Sequence, residues 1–145
     1  MARAATDVSV GDVFGPVTIP VGRATLVAYA NASLDLNPIH QDEAVAIQVG
    51  LPDVIAHGMW TMGAAGTVLA DWVGDAGRVV SFGTRFTNMV VVPASGSELE
   101  VTGTVRALDE DTGEATIDLT VLAAGQKVLG RCQAVVRLDA DVPAS

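Results

Sequence analysis

The densest chemistry in this chain lies in six consecutive residues, Asp35-Leu36-Asn37-Pro38-Ile39-His40. An imidazole titrates near neutrality, so His40 can accept or donate a proton. The nearby Asp35 carboxylate can orient that ring or share a water with it. Pro38 fixes its own φ and disfavours helix at Asn37, which holds both side chains in a set relation. Asn37 can fasten the loop or bind a ligand carbonyl. The same residue types also suit an ordinary turn, in which His40 does no more than precede a helix. The residues alone leave both readings open.

A second constellation is Ile55-Ala56-His57-Gly58-Met59, just ahead of a long apolar stretch. A helix start presents unpaired amide donors and the positive end of the dipole. Gly58 lets a substrate carbonyl come close to such an amide, which is the layout of an oxyanion hole; the alternative is a tight turn. His57 reads as a structural hydrogen-bonder more than as a second catalyst. With Asn37, it joins Met59 and Trp60 as a candidate for substrate contact. Trp60 and Met62 either line an acyl tunnel or simply pack in the core.

These segments must be positioned by the elements around them. Arg23 to Ser33 reads as a helix with Leu26, Tyr29, Ala30 and Ser33 along one side. A shorter helix is expected from Asp42 to Val49, with acids in its first turn and Gly50 at its end. Met59 to Val73 is the longest apolar helical stretch, stopped by Gly74; its Gly63, Ala64, Ala65 and Gly66 allow close approach by a sheet or a ligand chain. From Arg78 onward the pattern is β: Val79 to Thr87, Glu98 to Leu108, Glu114 to Leu122 and Lys127 to Leu138. Turns fall at Pro93-Ala94-Ser95-Gly96, Asp109 to Gly113 and Ala124-Gly125. Residues 1–16 read as an irregular lead-in, Val17 to Pro20 as a short first strand, and Asp139 to Ser145 as a frayed tail. One long helix with an antiparallel sheet of five strands is an α+β arrangement in a single domain spanning 1–145.

Composition narrows the functional classes. Half of the 145 residues are hydrophobic but only 4% are aromatic, so Val, Ala, Leu and Ile must build the core. No apolar run reaches the roughly 18 residues of a membrane span, and residues 1–10 hold no apolar signal core. No membrane association and a cytoplasmic location are the expectations. Eight Lys and Arg against seventeen Asp and Glu give a net charge of −9, which argues against a nucleic-acid partner. Docking an acidic carrier protein would need a local basic patch, for which Arg78, Arg85, Lys127 and Arg131 are the candidates. Cys132 is the one cysteine, so an intrachain disulfide is ruled out. One Cys and two His without ligand spacing do not suggest structural zinc.

The run Tyr29-Ala30-Asn31-Ala32-Ser33-Leu34-Asp35-Leu36-Asn37-Pro38-Ile39-His40 resembles the hydratase signature of MaoC-like proteins: an aromatic residue, a short gap, then Ser/Thr-Gly-Asp-x-Asn-Pro-x-His. Ala56-His57-Gly58-Met59 is similar to that family's helix-start motif. Val80-Ser81-Phe82-Gly83-Thr84-Arg85-Phe86 and Val92-Pro93 match its later part. Thr61-Met62-Gly63 and Trp72-Val73-Gly74-Asp75 make the likeness strongest to the HadB-type subunit of actinobacterial (R)-3-hydroxyacyl-ACP dehydratases. One position departs: Leu34 stands where the family usually has Gly before the acid, and Leu does not readily adopt a positive φ.

The resemblance implies a hot-dog fold, with the sheet wrapped around the long helix, and a homodimer or a heterodimer with a second hot-dog subunit. It implies a hydro-lyase of fatty-acid metabolism acting on a 3-hydroxyacyl or 2-enoyl thioester. Asp35 and His40 would manage the water and protons, and the Gly58 amide would bind the thioester oxygen. Neither metal nor redox cofactor is then required; acyl-CoA or acyl-ACP is the substrate. Two other roles stay open. A hot-dog thioesterase would attack C1 instead of C3, and a non-catalytic subunit would complete a partner's channel, although such subunits typically lack the acid and the imidazole.

Overall fold

The computed structural model describes residues 2–140. In chain order it contains strand β1 (Val13–Val21), helices α1 (Arg23–Ser33), α2 (Glu43–Gln48) and α3 (Gly58–Val73), and strands β2 (Val79–Phe86), β3 (Ser97–Asp109), β4 (Glu114–Ala123), β5 (Gln126–Lys127) and β6 (Leu129–Arg137). Single 3₁₀ turns occupy Ala5–Asp7, Pro38–His40 and Ala76–Arg78.

Five long strands form an antiparallel sheet in the order β1-β3-β4-β6-β2, and the two-residue β5 pairs with β4. β4 and the first half of β3 obey period-two burial. On β4, Ala115, Ile117, Leu119, Val121 and Ala123 face inward, and on β3, Leu99, Val101 and Val105 do so. α3 answers with Thr61, Ala65, Val68, Leu69 and Val73, the three-to-four spacing that puts one helical stripe on a sheet. Each such Leu or Val contributes roughly 1.5–3 kcal/mol by leaving water. This is the expected α+β arrangement with a central helix, the hot-dog layout.

Local signals set the boundaries. Gly74 takes φ 90° and its N–H donates to the Ala70 carbonyl, closing α3. Gly103 on β3 is required by close approach: a side chain there would collide with the Phe14 ring, which itself stacks on Trp72 with centroids 4.6 Å apart. The Asp42 carboxylate accepts the Val45 N–H at 3.2 Å and caps α2, as its acidic start leads one to expect.

Three expectations need correction. The irregular lead-in ends earlier than residue 16, because β1 begins at Val13; a bulge between Phe14 and Val17 and the run of exposed residues from Gly15 to Thr18 erase the alternation that would mark it. The segment from Lys127 to Leu138 is not one strand. Ala124 and Gly125, at φ 49° and 74°, fold Gln126–Lys127 back onto β4 before β6 starts at Leu129. Asp139, assigned to the tail, is held: its N–H donates to the Arg3 carbonyl and its carboxylate lies 2.6 Å from Arg78. Residues 141–145 of that tail lie outside the described residues. No helix among the described residues is long and apolar enough to cross a membrane.

Candidate active site

α1 ends at Ser33, and Leu34 carries the chain out of it in the left-handed region, with φ 64° and ψ 16°. A β-carbon makes that conformation cost about 1–2 kcal/mol, and Leu34 accepts it with 78% of its surface exposed. The turn brings Asp35 and His40 together. The Asp35 carboxylate accepts the Asn37 N–H at 3.3 Å, and the Asn37 side chain accepts the Ile39 N–H at 3.2 Å. Pro38 then starts the 3₁₀ turn that ends at His40. Asn37 thus supports the loop.

His40 is fixed from the other side. Residues 54–56 run antiparallel to 90–92, tied by Ala56 N–H to Val90 O and Val92 N–H to Val54 O, both 2.9 Å. The Ile55 carbonyl so positioned accepts a hydrogen bond from His40 Nδ1 at 2.6 Å. A carbonyl can only accept, so Nδ1 carries the proton, and in the neutral imidazole Nε2 then holds the lone pair. Arg23 braces the segment, reaching Asp53 at 2.7 Å and Glu43 at 3.0 Å.

His57 lies beneath. Its ring stacks on His40 with centroids 3.7 Å apart and meets the edge of Tyr29 at 4.7 Å. Its Nε2 donates to the Asp35 backbone carbonyl at 3.0 Å, while Nδ1 is buried without a partner. Nitrogen and carboxylate atoms of Asp35, His40 and His57 all lie within 4.8 Å of one another. That spacing would suit metal ligands, but near-parallel stacked rings send their in-plane lone pairs along parallel lines and not toward one ion. The spacing does suit a water bonded to the acid and to one ring at about 2.8 Å each.

Beside this cluster opens a cleft of about 450 Å³ lined by His40, Ile55, Ala56, Gly58 and Thr61 on one side and by Phe86–Val90, Val128 and Leu129 on the other. No side chain caps the start of α3, so its first amides, Gly58 among them, remain free to donate. A β-carbon at Gly58 would press on the Phe86 ring at 3.0 Å, so glycine keeps this wall open.

The structure places His40 and Gly58 on the cleft wall and sets the Asp35 carboxylate within 4.8 Å of the His40 ring, not among the residues that line that wall. The remaining candidates also lie off the cleft wall. His57 is 2% exposed and lies under His40. Met59 and Trp60 line a second, apolar groove with Tyr29 and Gly63, because successive helical residues point about 100° apart. Trp60 also packs against the core. The sequence reading did not single out Thr61, Thr87, Asn88 or Met89 for the cleft. Thr87 and Asn88 were detectable as polar residues interrupting an apolar stretch; their side chains donate to the Lys127 carbonyl at 3.1 and 2.7 Å.

A family model described as MaoC like domain matches residues 7–123. Among solved structures, a MaoC-like dehydratase superposes with a TM-score of 0.93 and 37% identity over 95% of this chain and 43% of that one. An (R)-hydratase of A. caviae involved in PHA biosynthesis superposes at 0.80 with 28% identity, covering 90% of this chain and 97% of the other. A curated relative, 3-hydroxyacyl-thioester dehydratase X of Mycobacterium tuberculosis, is 39% identical over half of this chain and a quarter of its own length. The chain spans only 3–25% of the length of the curated relatives it matches.

Proposed function

The chain belongs to the MaoC-like domain family, and on that premise we propose that it is an (R)-specific hydro-lyase that interconverts 2-enoyl and 3-hydroxyacyl thioesters. The observation that carries this reading is the Asp35 carboxylate within 4.8 Å of the His40 ring, beside a cleft whose wall includes Gly58 at the uncapped start of α3.

In hydration, Asp35 and the Nε2 lone pair of His40 hold one water near C3 of the enoyl group. One of the two removes a proton as the oxygen attacks C3, and C2 takes a proton in return. Dehydration runs the same steps backwards. Negative charge grows on the thioester oxygen, and the Gly58 amide is placed to receive it; such a donor is typically worth about 3 kcal/mol of barrier. The thioester supplies the electronic activation, so the residues at the site suffice without metal or redox cofactor, and CoA or a carrier-bound phosphopantetheine arm enters as substrate. A hot-dog dimer, of identical or related subunits, is the assembly that accompanies this reading.

The test is purified protein with crotonyl-CoA, following enoyl absorbance and free thiol together and resolving the product's stereochemistry. Loss of absorbance with (R)-3-hydroxybutyryl-CoA and no thiol release is the expected result. Thiol release with the enoyl group intact would make the chain a thioesterase instead.

A further inference from the structure

The chain's positive charge is scarce and unevenly used. Of eight Lys and Arg, Arg23, Arg78, Arg106 and Arg137 pair with carboxylates. Arg3 bonds the Trp72 carbonyl and stacks on that ring. Among the described residues, Arg85, Lys127 and Arg131 have no acidic partner, and all three are exposed.

These three converge. Lys127 and Arg131 line one polar hollow of about 510 Å³ with Arg106 and Gln133. Arg85 lies opposite Gly130, next to Arg131 on β6. The hollow's one carboxylate, Asp118, is already engaged by Gln133 at 2.9 Å and by Arg106 at 3.6 Å. Arg131 is aimed there by a bulge: β6 uses one residue more than β2 between its pairings with Gly83 and Arg85, and Arg131 adopts φ 46°. A bulge that redirects a side chain at backbone cost is a feature of functional surfaces. The hollow lies on the outward face of the sheet, and Lys127 ties its rim to the cleft: the Lys127 carbonyl accepts hydrogen bonds from Thr87 and Asn88, both cleft-lining residues.

Resting on the thioester reading above, we infer that the Lys127–Arg131 hollow, with Arg85 at its edge, binds the phosphate end of CoA while the acyl thioester occupies the neighbouring cleft. The layout of the ligand matches: an apolar acyl group, a neutral amide arm and a compact, multiply charged terminus. A compact anion needs only a few cations. An acidic protein spread over a chain of net charge −9 would meet repulsion on most of its footprint.

Calorimetric titration with CoA and with pantetheine, which lacks the charged terminus, tests this. Wild type is expected to bind CoA more tightly than pantetheine, with an affinity that falls as salt rises. The double variant Lys127→Ala/Arg131→Gly is expected to lose about tenfold in CoA affinity per cation, with pantetheine unaffected. Glycine at 131 suits the left-handed backbone, and the charge-preserving Lys127→Arg is expected to retain binding, so loss of charge is separated from loss of fold. Equal CoA affinity in wild type and double variant overturns the inference. So does wild type that ignores CoA, including wild type that instead binds a phosphopantetheinylated carrier protein. Turnover of crotonyl-CoA is scored separately. Charge-dependent CoA binding without turnover keeps this site and removes the hydro-lyase reading; turnover with the same KM in both proteins does the reverse.

Discussion

His40 and His57 lie ring on ring, 3.7 Å between centroids, yet their nitrogens are committed in different directions. His40 gives its Nδ1 proton to Ile55 and leaves Nε2 available, whereas His57 gives its Nε2 proton to the backbone of Asp35. One ring therefore faces the cleft while the other fixes the loop that carries the acid. Replacing His57 by Phe keeps a ring in the stack and removes the hydrogen bond. A stability loss of about 1–3 kcal/mol is expected, read as a lower urea midpoint at unchanged slope.

Leu34 is the family's departure, and its left-handed backbone gives that departure a sign. Leucine at φ 64° costs about 1–2 kcal/mol relative to glycine, and glycine returns about 0.5–1 kcal/mol of this through its freer unfolded chain. The side chain is 78% exposed, so little burial is forfeited. Leu34→Gly is expected to raise stability by up to about 1.5 kcal/mol with turnover retained, measured by thermal unfolding alongside an activity assay. Destabilisation would mean that the exposed leucine is covered by something in the assembled protein.

Gly58 separates site geometry from fold. An added methyl meets the Phe86 ring at 3.0 Å, but that ring is 54% exposed and free to swing. Gly58→Ala is expected to lower kcat/KM by about tenfold or more while shifting stability by less than about 1 kcal/mol, since a 1 Å displacement at a reacting centre can cost far more in rate than in folding. Adding Phe86→Ala should return part of the lost activity if the clash is the cause.

Cys132 is 4% exposed, and burial pushes its thiol above the usual cysteine range, with Thr84 pulling the other way. A raised value keeps the thiol protonated at neutral pH, and the thiolate is the reactive form. Native protein is expected to react with a thiol reagent far more slowly than urea-unfolded protein at pH 7.5. Comparable rates would contradict the buried setting.

How much of this was legible in the sequence follows from how local each signal is. The helix Arg23–Ser33 and the Gly74 stop depend on neighbours within one turn, and the sequence reading placed both correctly. Asp35 and His40 were legible because one short loop carries both. Met59 and Trp60 line a different groove from Gly58, because adjacency to Gly58 in sequence is not adjacency on a helix surface. The bulge at Arg131 was invisible, although it left a trace: burial along β6 falls on odd Leu129 and then on even Cys132, Ala134 and Val136. The far wall of the cleft, Phe86 to Val90, came from a distant part of the chain. Only the pairing of residues 90–92 with 54–56 brings it to His40.

The Asp35–His40 pair is tested most directly by measuring kcat on crotonyl-CoA for wild type, Asp35→Asn and His40→Gln, each confirmed folded. Both substitutions keep size and hydrogen bonding while removing a proton-transfer group. Each is expected to lower kcat by about 10²- to 10⁴-fold, with stability close to that of wild type. Wild-type turnover in both variants would contradict the assignment of the chemistry to Asp35 and His40.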